Sequence, residues 1–286
     1  MWLLALVMLA DSSHAFPLAV SPAESLQVTE AGAVAAAPVV LIPGLFGSAF
    51  AYRKVIPLLT AAGYRTLVIE PLGVGSSGRP EHADYCLTAQ ADRIAAALDH
   101  LGVQRALVIA HQTSASIAYR LAYRRPDLVR GIISLEGGPA EAAATPGFRR
   151  AMQLAPWIKL FGGMGLIRKK IRKNLIEASG DASWVSDEVV DGYTAGAARD
   201  LDGTLKAYVG MARARERERL RPHLAQIACP VLLLWGAQGV VGRLYDPLEV
   251  WRTYATDVRG RPLDAGHFLV EERPEATLAA LRAFLA

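Results

Sequence analysis

The segment Leu107-Val108-Ile109-Ala110-His111-Gln112-Thr113-Ser114-Ala115-Ser116 carries the strongest chemical signal in the chain. An apolar run passes directly into small residues and then a helical pattern, so a strand must turn sharply into a helix and lift the residue at the bend clear of the sheet. Small side chains two positions before and after the bend let strand and helix approach, and Ala110 and Ser114 occupy those places. Gln112 stands between them, where G-x-S-x-G sequences carry a nucleophile. Serine and cysteine attack carbonyls after losing a proton to an imidazole, and aspartate attacks carbon as an ionised carboxylate. A glutamine amide does neither, because its nitrogen lone pair is delocalised into the carbonyl and its oxygen carries no charge. Thr113 is expected to present its N–H rather than its hydroxyl, and Ser114 to pack between strand and helix, so neither is read as a substitute nucleophile.

Such a bend needs a sheet beneath it. From Pro38 onward, short β-branched or leucine-rich runs alternate with amphipathic stretches of helical length, the pattern of a parallel sheet covered on both faces. The runs predict strands over 39–42, 66–70, 106–109, 131–135, 231–235 and 258–262, with helices over 49–62, 88–101, 113–124, 248–254 and 274–285. Between Gly137 and about Leu224 no strand is predicted, only helical patterns over 152–161, 166–178 and 201–219. A helical insertion of that length is expected to lie over the C-terminal edge of the sheet, where open α/β sheets bind ligands. The predicted organisation is a core of residues 16–136 and 225–286 with a cap of residues 137–224.

Composition narrows the class. The 286 residues are half apolar with a net charge of +4, enough to bury a full core and without the basic stripe of a nucleic-acid binder. The one gathered basic cluster, Arg168-Lys169-Lys170 with Arg172-Lys173, reads first as a solvated helix face and second as a contact for an anionic interface. Cys86 and Cys229 are too few and too far apart to predict a disulfide framework or a metal site, and Cys229 reads as a buried, inert thiol. Met1–Ala10 are almost wholly apolar, and Ser13-His14-Ala15 ends with small residues where a signal peptidase reads, predicting a signal peptide over residues 1–15 and export. No lysine or arginine precedes that run, so a start codon called too early or late, or an N-terminal arm packed on the domain, is the competing expectation, with a cytoplasmic location. The run is too short for a spanning helix.

Five segments in order resemble the α/β-hydrolase superfamily over nearly everything from Pro38 to Ala286. They are Pro43-Gly44-Leu45-Phe46-Gly47; Glu70-Pro71-Leu72-Gly73-Val74-Gly75-Ser76-Ser77-Gly78-Arg79-Pro80; the bend at Gln112; Ile117-Ala118-Tyr119-Arg120-Leu121-Ala122 through Val129; and Gly266-His267-Phe268-Leu269-Val270-Glu271-Glu272-Arg273-Pro274. The resemblance implies an α/β-hydrolase fold with His267 as general base and the N–H groups of Leu45 and Thr113 as an oxyanion hole. It leaves the acid open among Glu136, Asp246 and Asp264. Likeness to the haloacetate dehalogenase branch, in Ser134-Leu135-Glu136-Gly137-Gly138-Pro139 and Gly242-Arg243-Leu244-Tyr245-Asp246-Pro247-Leu248 with Trp251, favours Glu136. Glu136 could equally be a carboxylate at the start of a cap helix.

Three functions stay open at this point. The first is hydrolysis of a small apolar ester or acyl substrate by water that His267 deprotonates beside the Gln112 amide. The second is binding of a small apolar ligand by a pseudoenzyme. The third is a cofactor-free lyase or isomerase run by His267. His111 reads as a packing and hydrogen-bonding residue, and Trp157, Phe161, Trp184 and Tyr193 as candidate lining of an apolar pocket. No metal or organic cofactor is implied.

Overall fold

The computed structural model describes residues 13–157, 162–239, 247–252 and 257–285. One eight-stranded sheet contains β1 (His14–Ser21), β2 (Glu24–Ala31), β3 (Ala37–Ile42), β4 (Tyr64–Ile69), β5 (Ala106–His111), β6 (Val129–Leu135), β7 (Val231–Gly236) and β8 (Val258–Leu263), in the spatial order β1-β2-β4-β3-β5-β6-β7-β8. From β4 to β8 every pairing is parallel, while β1 pairs with β2, and β2 with β4, antiparallel.

Alternation along each strand divides the core between the two faces. Val40, Ile42, Val108, Ala110, Val231 and Leu233 pack on one side; Val39, Leu41, Leu107, Ile109, Leu232 and Leu234 pack on the other. Each of the Val, Leu and Ile side chains taken out of water contributes about 1.5–3 kcal/mol, and the helices that supply the matching faces follow from that demand. They include α1 (Ile56–Ala61), α2 (Leu87–His100), α3 (Ala115–Arg124) and the helix Pro274–Leu285.

The N-terminal hairpin β1–β2 is absent from the sequence expectation, which began the sheet at Val39. Its outer strand is half-exposed along its length and contains Pro17, features that suit an edge strand and hide it from a search for apolar runs. His14 and Ala15, the last residues of the expected leader, pair with Glu30 and Thr29; Met1 to Ser12 lie outside the described residues.

Several helices differ from expectation. The stretch expected as one helix over 49–62 is a 3₁₀ turn, Ala49–Tyr52, and then α1. Pro57 sits in the first turn of α1, where its missing N–H is harmless, and it could not have continued a helix from Ala49. The segment between β6 and β7 contains α4 (Pro146–Gln153), α5 (Ala155–Trp157), α6 (Gly163–Ala178), α7 (Asp187–Arg199) and α8 (Leu201–Arg213). α8 stops at Arg213 rather than Arg219 because the following charged run returns to the core: Glu216 accepts the N–H groups of Leu87 and Thr88, and Arg217 pairs with Asp84. α7 was not foreseen, although Ser186 caps it and Asp187 and Glu188 occupy its first turn, a legible start signal.

α7 lies against the loops at the C-terminal ends of the strands. A Cβ on Gly192 would stand 2.3 Å from the Phe50 ring, and one on Gly196 would stand 2.3 Å from Gly75 O, so two glycines four residues apart provide the flat face of this contact. Tyr193, between them, donates its hydroxyl to Glu271 Oε1 at 3.1 Å, and Tyr208 of α8 donates to Leu45 O at 2.9 Å.

Candidate active site

At the end of β5 the backbone changes hand in one residue. His111 is extended, and Gln112 has φ +53°, a left-handed conformation that costs a non-glycine residue free energy and is retained where the surroundings over-determine it. They do so here. Ser114 is buried and donates to Pro43 O at 2.7 Å, and Gly137 approaches so closely that a Cβ on it would stand 2.5 Å from Gln112 O. The neighbouring strand ends in the same way: Glu136, one residue past β6, has φ +55° and is 4% exposed.

His267 arrives from the loop after β8. Its N–H donates to Ala178 O at 2.8 Å, which fixes the loop to the end of α6. Its Nδ1 lies 2.9 Å from Glu136 Oε2, and the other carboxylate oxygen accepts the Gly236 N–H. With Nδ1–H given to a carboxylate, Nε2 presents a lone pair. The Gln112 amide nitrogen meets that nitrogen and is placed to donate to it. The structure therefore brings Gln112, His267 and Glu136 together in one hydrogen-bonded row. Asp264 is exposed and accepts from Gln238 Nε2 at 3.1 Å instead; Asp246 lies outside the described residues.

His111 lies beside this row, its Nε2 3.3 Å from His267 O. Burial, reinforced by the neighbouring His267, pushes its pKa down to about 3, so it is a neutral hydrogen-bonding ring at ordinary pH. Beneath the loop after β3, Glu70 accepts the Ala49 N–H at 2.8 Å and the Ser76 N–H, and burial raises its pKa. In the sequence Glu70 stands out only as part of a motif. In the structure it ties the segment after Pro43–Gly47 to the segment Gly75–Ser76.

A hollow of about 530 Å³ opens over the row, lined by Phe46, His111, Gln112, Tyr193, His267 and Phe268 among others. A second hollow of about 130 Å³ shares Phe46, Ile171, Asn174 and Tyr193 with it and continues between Phe148, Met152 and Leu205. Leu45 and Thr113, on either side of the bend, also border a recess of about 30 Å³ with Ile117, Ala143 and Met211. Of the four aromatic residues expected to line a pocket, Tyr193 lines both hollows, and Trp184 stacks edge-on against Phe268. Trp157 is 60% exposed, a departure from the expectation, because the short α5 turns it outward; Phe161 lies outside the described residues.

Other singled-out residues are accounted for by their partners. Arg168 pairs with Asp191 and Arg172 with Asp187, joining α6 to α7. The Cys229 thiol is only half-buried rather than fully buried, because it precedes β7 instead of lying in it, and burial still pushes its pKa up to about 11. Among the described residues no helix is long and apolar enough to cross a membrane.

The model of the alpha/beta hydrolase fold matches residues 37–274. The chain belongs to the α/β-hydrolase fold family. Among its relatives, the uncharacterised hydrolase YugF of Bacillus subtilis (strain 168) is 27% identical over 240 residues, covering 82% of this chain and 85% of that protein. Haloalkane dehalogenase 2 of Mycobacterium tuberculosis (strain H37Rv) is 26% identical over 257 residues, covering 85% of this chain and 86% of that protein. The crystal structure of epoxide hydrolase A from Mycobacterium thermoresistibile superposes with a TM-score of 0.75 at 26% identity, over 96% of this chain and 98% of that one. For this α/β-hydrolase-fold chain, the eight-stranded, mostly parallel sheet with flanking helices is therefore the family's fold.

Proposed function

We propose that this protein hydrolyses a small apolar ester or acyl substrate with water that His267 activates. The observation that carries this reading is His267 itself: one ring nitrogen is held at 2.9 Å by the buried carboxylate of Glu136, and the other faces the bend at Gln112, on the floor of a hollow with aromatic walls. A fixed tautomer with a lone pair facing the bend beneath a hollow is what general-base chemistry needs. Gln112 has no nucleophilic atom, so in this reading its amide swings aside and holds the attacking water while His267 takes the proton. Glu136 orients His267 and balances the imidazolium that forms. The Leu45 and Thr113 N–H groups serve as oxyanion donors, and residues 137–224 act as the cap that encloses the substrate. The hydrolase names of the relatives support hydrolysis as the reaction class. The apolar N-terminal run supports export.

One observation favours a second reading, binding of an apolar ligand without turnover: the Gln112 amide donates to the nitrogen that a base would use. Turnover of short and medium p-nitrophenyl esters by the native protein, the Gln112→Ser variant and the His267→Ala variant separates the two. Native turnover that disappears in His267→Ala is expected. Native inactivity together with turnover in Gln112→Ser would instead establish the binding reading. A serine-directed phosphonate should leave the native protein unlabelled.

A further inference from the structure

The row at the bend already contains an acyl group. Gln112 carries a carboxamide whose nitrogen meets His267 Nε2. Its oxygen lies toward the loop after β3, where a Cβ on Gly44 would stand 3.2 Å from Oε1. The hydrogen bond to the lone pair of His267 sets which end of the amide is which. A leaving nitrogen against an imidazole, with the carbonyl oxygen turned the other way, is the orientation in which a bound amide is cleaved. The backbone cannot withdraw the group, because Gln112 is held left-handed between Ser114, bonded to Pro43, and the close approach of Gly137. The hollow on the open side is wide enough to admit water.

We propose that Gln112 is itself a substrate of this site, its side-chain amide being hydrolysed in place to leave a glutamate at position 112 and release ammonium. The inference rests on the activated-water reading above. The water displaces the amide N–H from the His267 Nε2 lone pair; its oxygen bonds to Cδ as its proton passes to that nitrogen, and the carbonyl π pair moves onto Oε1. The C=O then re-forms, the Cδ–Nε2 bond breaks, and the nitrogen takes the proton back from the imidazolium. The ammonia so released accepts the proton of the new carboxylic acid. One amide and one water become one carboxylate and one ammonium ion, with no redox partner.

The consequence is a change in the site's chemistry. A carboxylate attacks electrophilic carbon where an amide cannot, so the converted chain holds a nucleophile at the bend and His267 is freed to activate water against the resulting ester. Gln112 is in this sense a masked nucleophile, and the converted form acts on substrates whose carbon bears a leaving group.

Peptide mass spectrometry of the full chain incubated in ¹⁸O-labelled water tests the proposal. The peptide containing Gln112 should change from amide to acid with one labelled oxygen, on the order of 10²-fold faster than Gln104 or Gln238 of the same chain. The acceleration should vanish in His267→Ala and, should that variant fold poorly, in the native chain unfolded in urea. A persistent amide, or conversion at the same rate in folded and unfolded chains, overturns the proposal. Ester turnover that depends on His267 while Gln112 stays an amide overturns this proposal alone. His267-dependent conversion without ester turnover supports it and overturns the ester reading.

Discussion

Glu136 and His267, 131 residues apart in the chain, meet at 2.9 Å, and the carboxylate is closed off from solvent. The contact depends on the left-handed backbone at Glu136, which turns the side chain from the end of β6 toward the loop after β8. Glu136→Gln should keep the shape and lose the charge, letting an amide donate where a carboxylate accepted. We expect ester turnover to fall by on the order of 10²–10⁴-fold. Independently of activity, ¹⁵N NMR should show His267 protonated on Nδ1 in the native protein and a mixture of tautomers in the variant. An unchanged tautomer would contradict the assigned role.

His111 should make the fold acid-labile. Its folded-state pKa, about 3, lies below the ordinary 6.5, so between those values the unfolded chain binds more protons. Its contribution to stability is complete above the unfolded value and is lost as pH falls toward the folded one. The Tm of the native protein should fall across that window, and His111→Asn should flatten the slope. Parallel curves for the two proteins would contradict the burial of a neutral ring.

Gly196 and Gly165 are both helical glycines and should respond to alanine with opposite signs. Nothing lies within 4 Å of a Cβ on Gly165, whereas one on Gly196 would stand 2.3 Å from Gly75 O. Gly165→Ala should gain a few tenths to about 1 kcal/mol from helix propensity. Gly196→Ala should lose about 1–3 kcal/mol by pushing α7 off the loop. Urea unfolding measures both.

The hydroxyl of Tyr193 is a polar tie between α7 and the core, donating to Glu271 at 3.1 Å, and Arg53 and Lys54 also pair with that carboxylate. Tyr193→Phe should cost about 1 kcal/mol. The loss should be local, appearing as faster hydrogen exchange in α7 with β5 unaffected. Equal acceleration in both elements would show that α7 does not open separately.

Legibility in the sequence followed the range of the interaction. β3 to β7 were visible because strands buried on both faces need apolar runs, as in Ala106–Ile109. The edge hairpin β1–β2 was not visible, because a half-exposed strand with Pro17 carries no such run. α7 was missed even though its cap is local, since its glycines and threonine look unlike a helix until Phe50 and Gly75 are placed beneath them.

The sequence alone determined that the chain is made with an amide at the bend after β5, a side chain with no nucleophilic atom. It also marked His267 by its place in the terminal motif. Tertiary structure decided which carboxylate reaches that histidine, because Glu136 and Asp264 are equivalent as chemistry and differ in backbone direction at a strand end and in which ring nitrogen they can approach. It also decided that the Gln112 amide lies against His267 Nε2, a contact made by chain segments that only the closed sheet brings within reach.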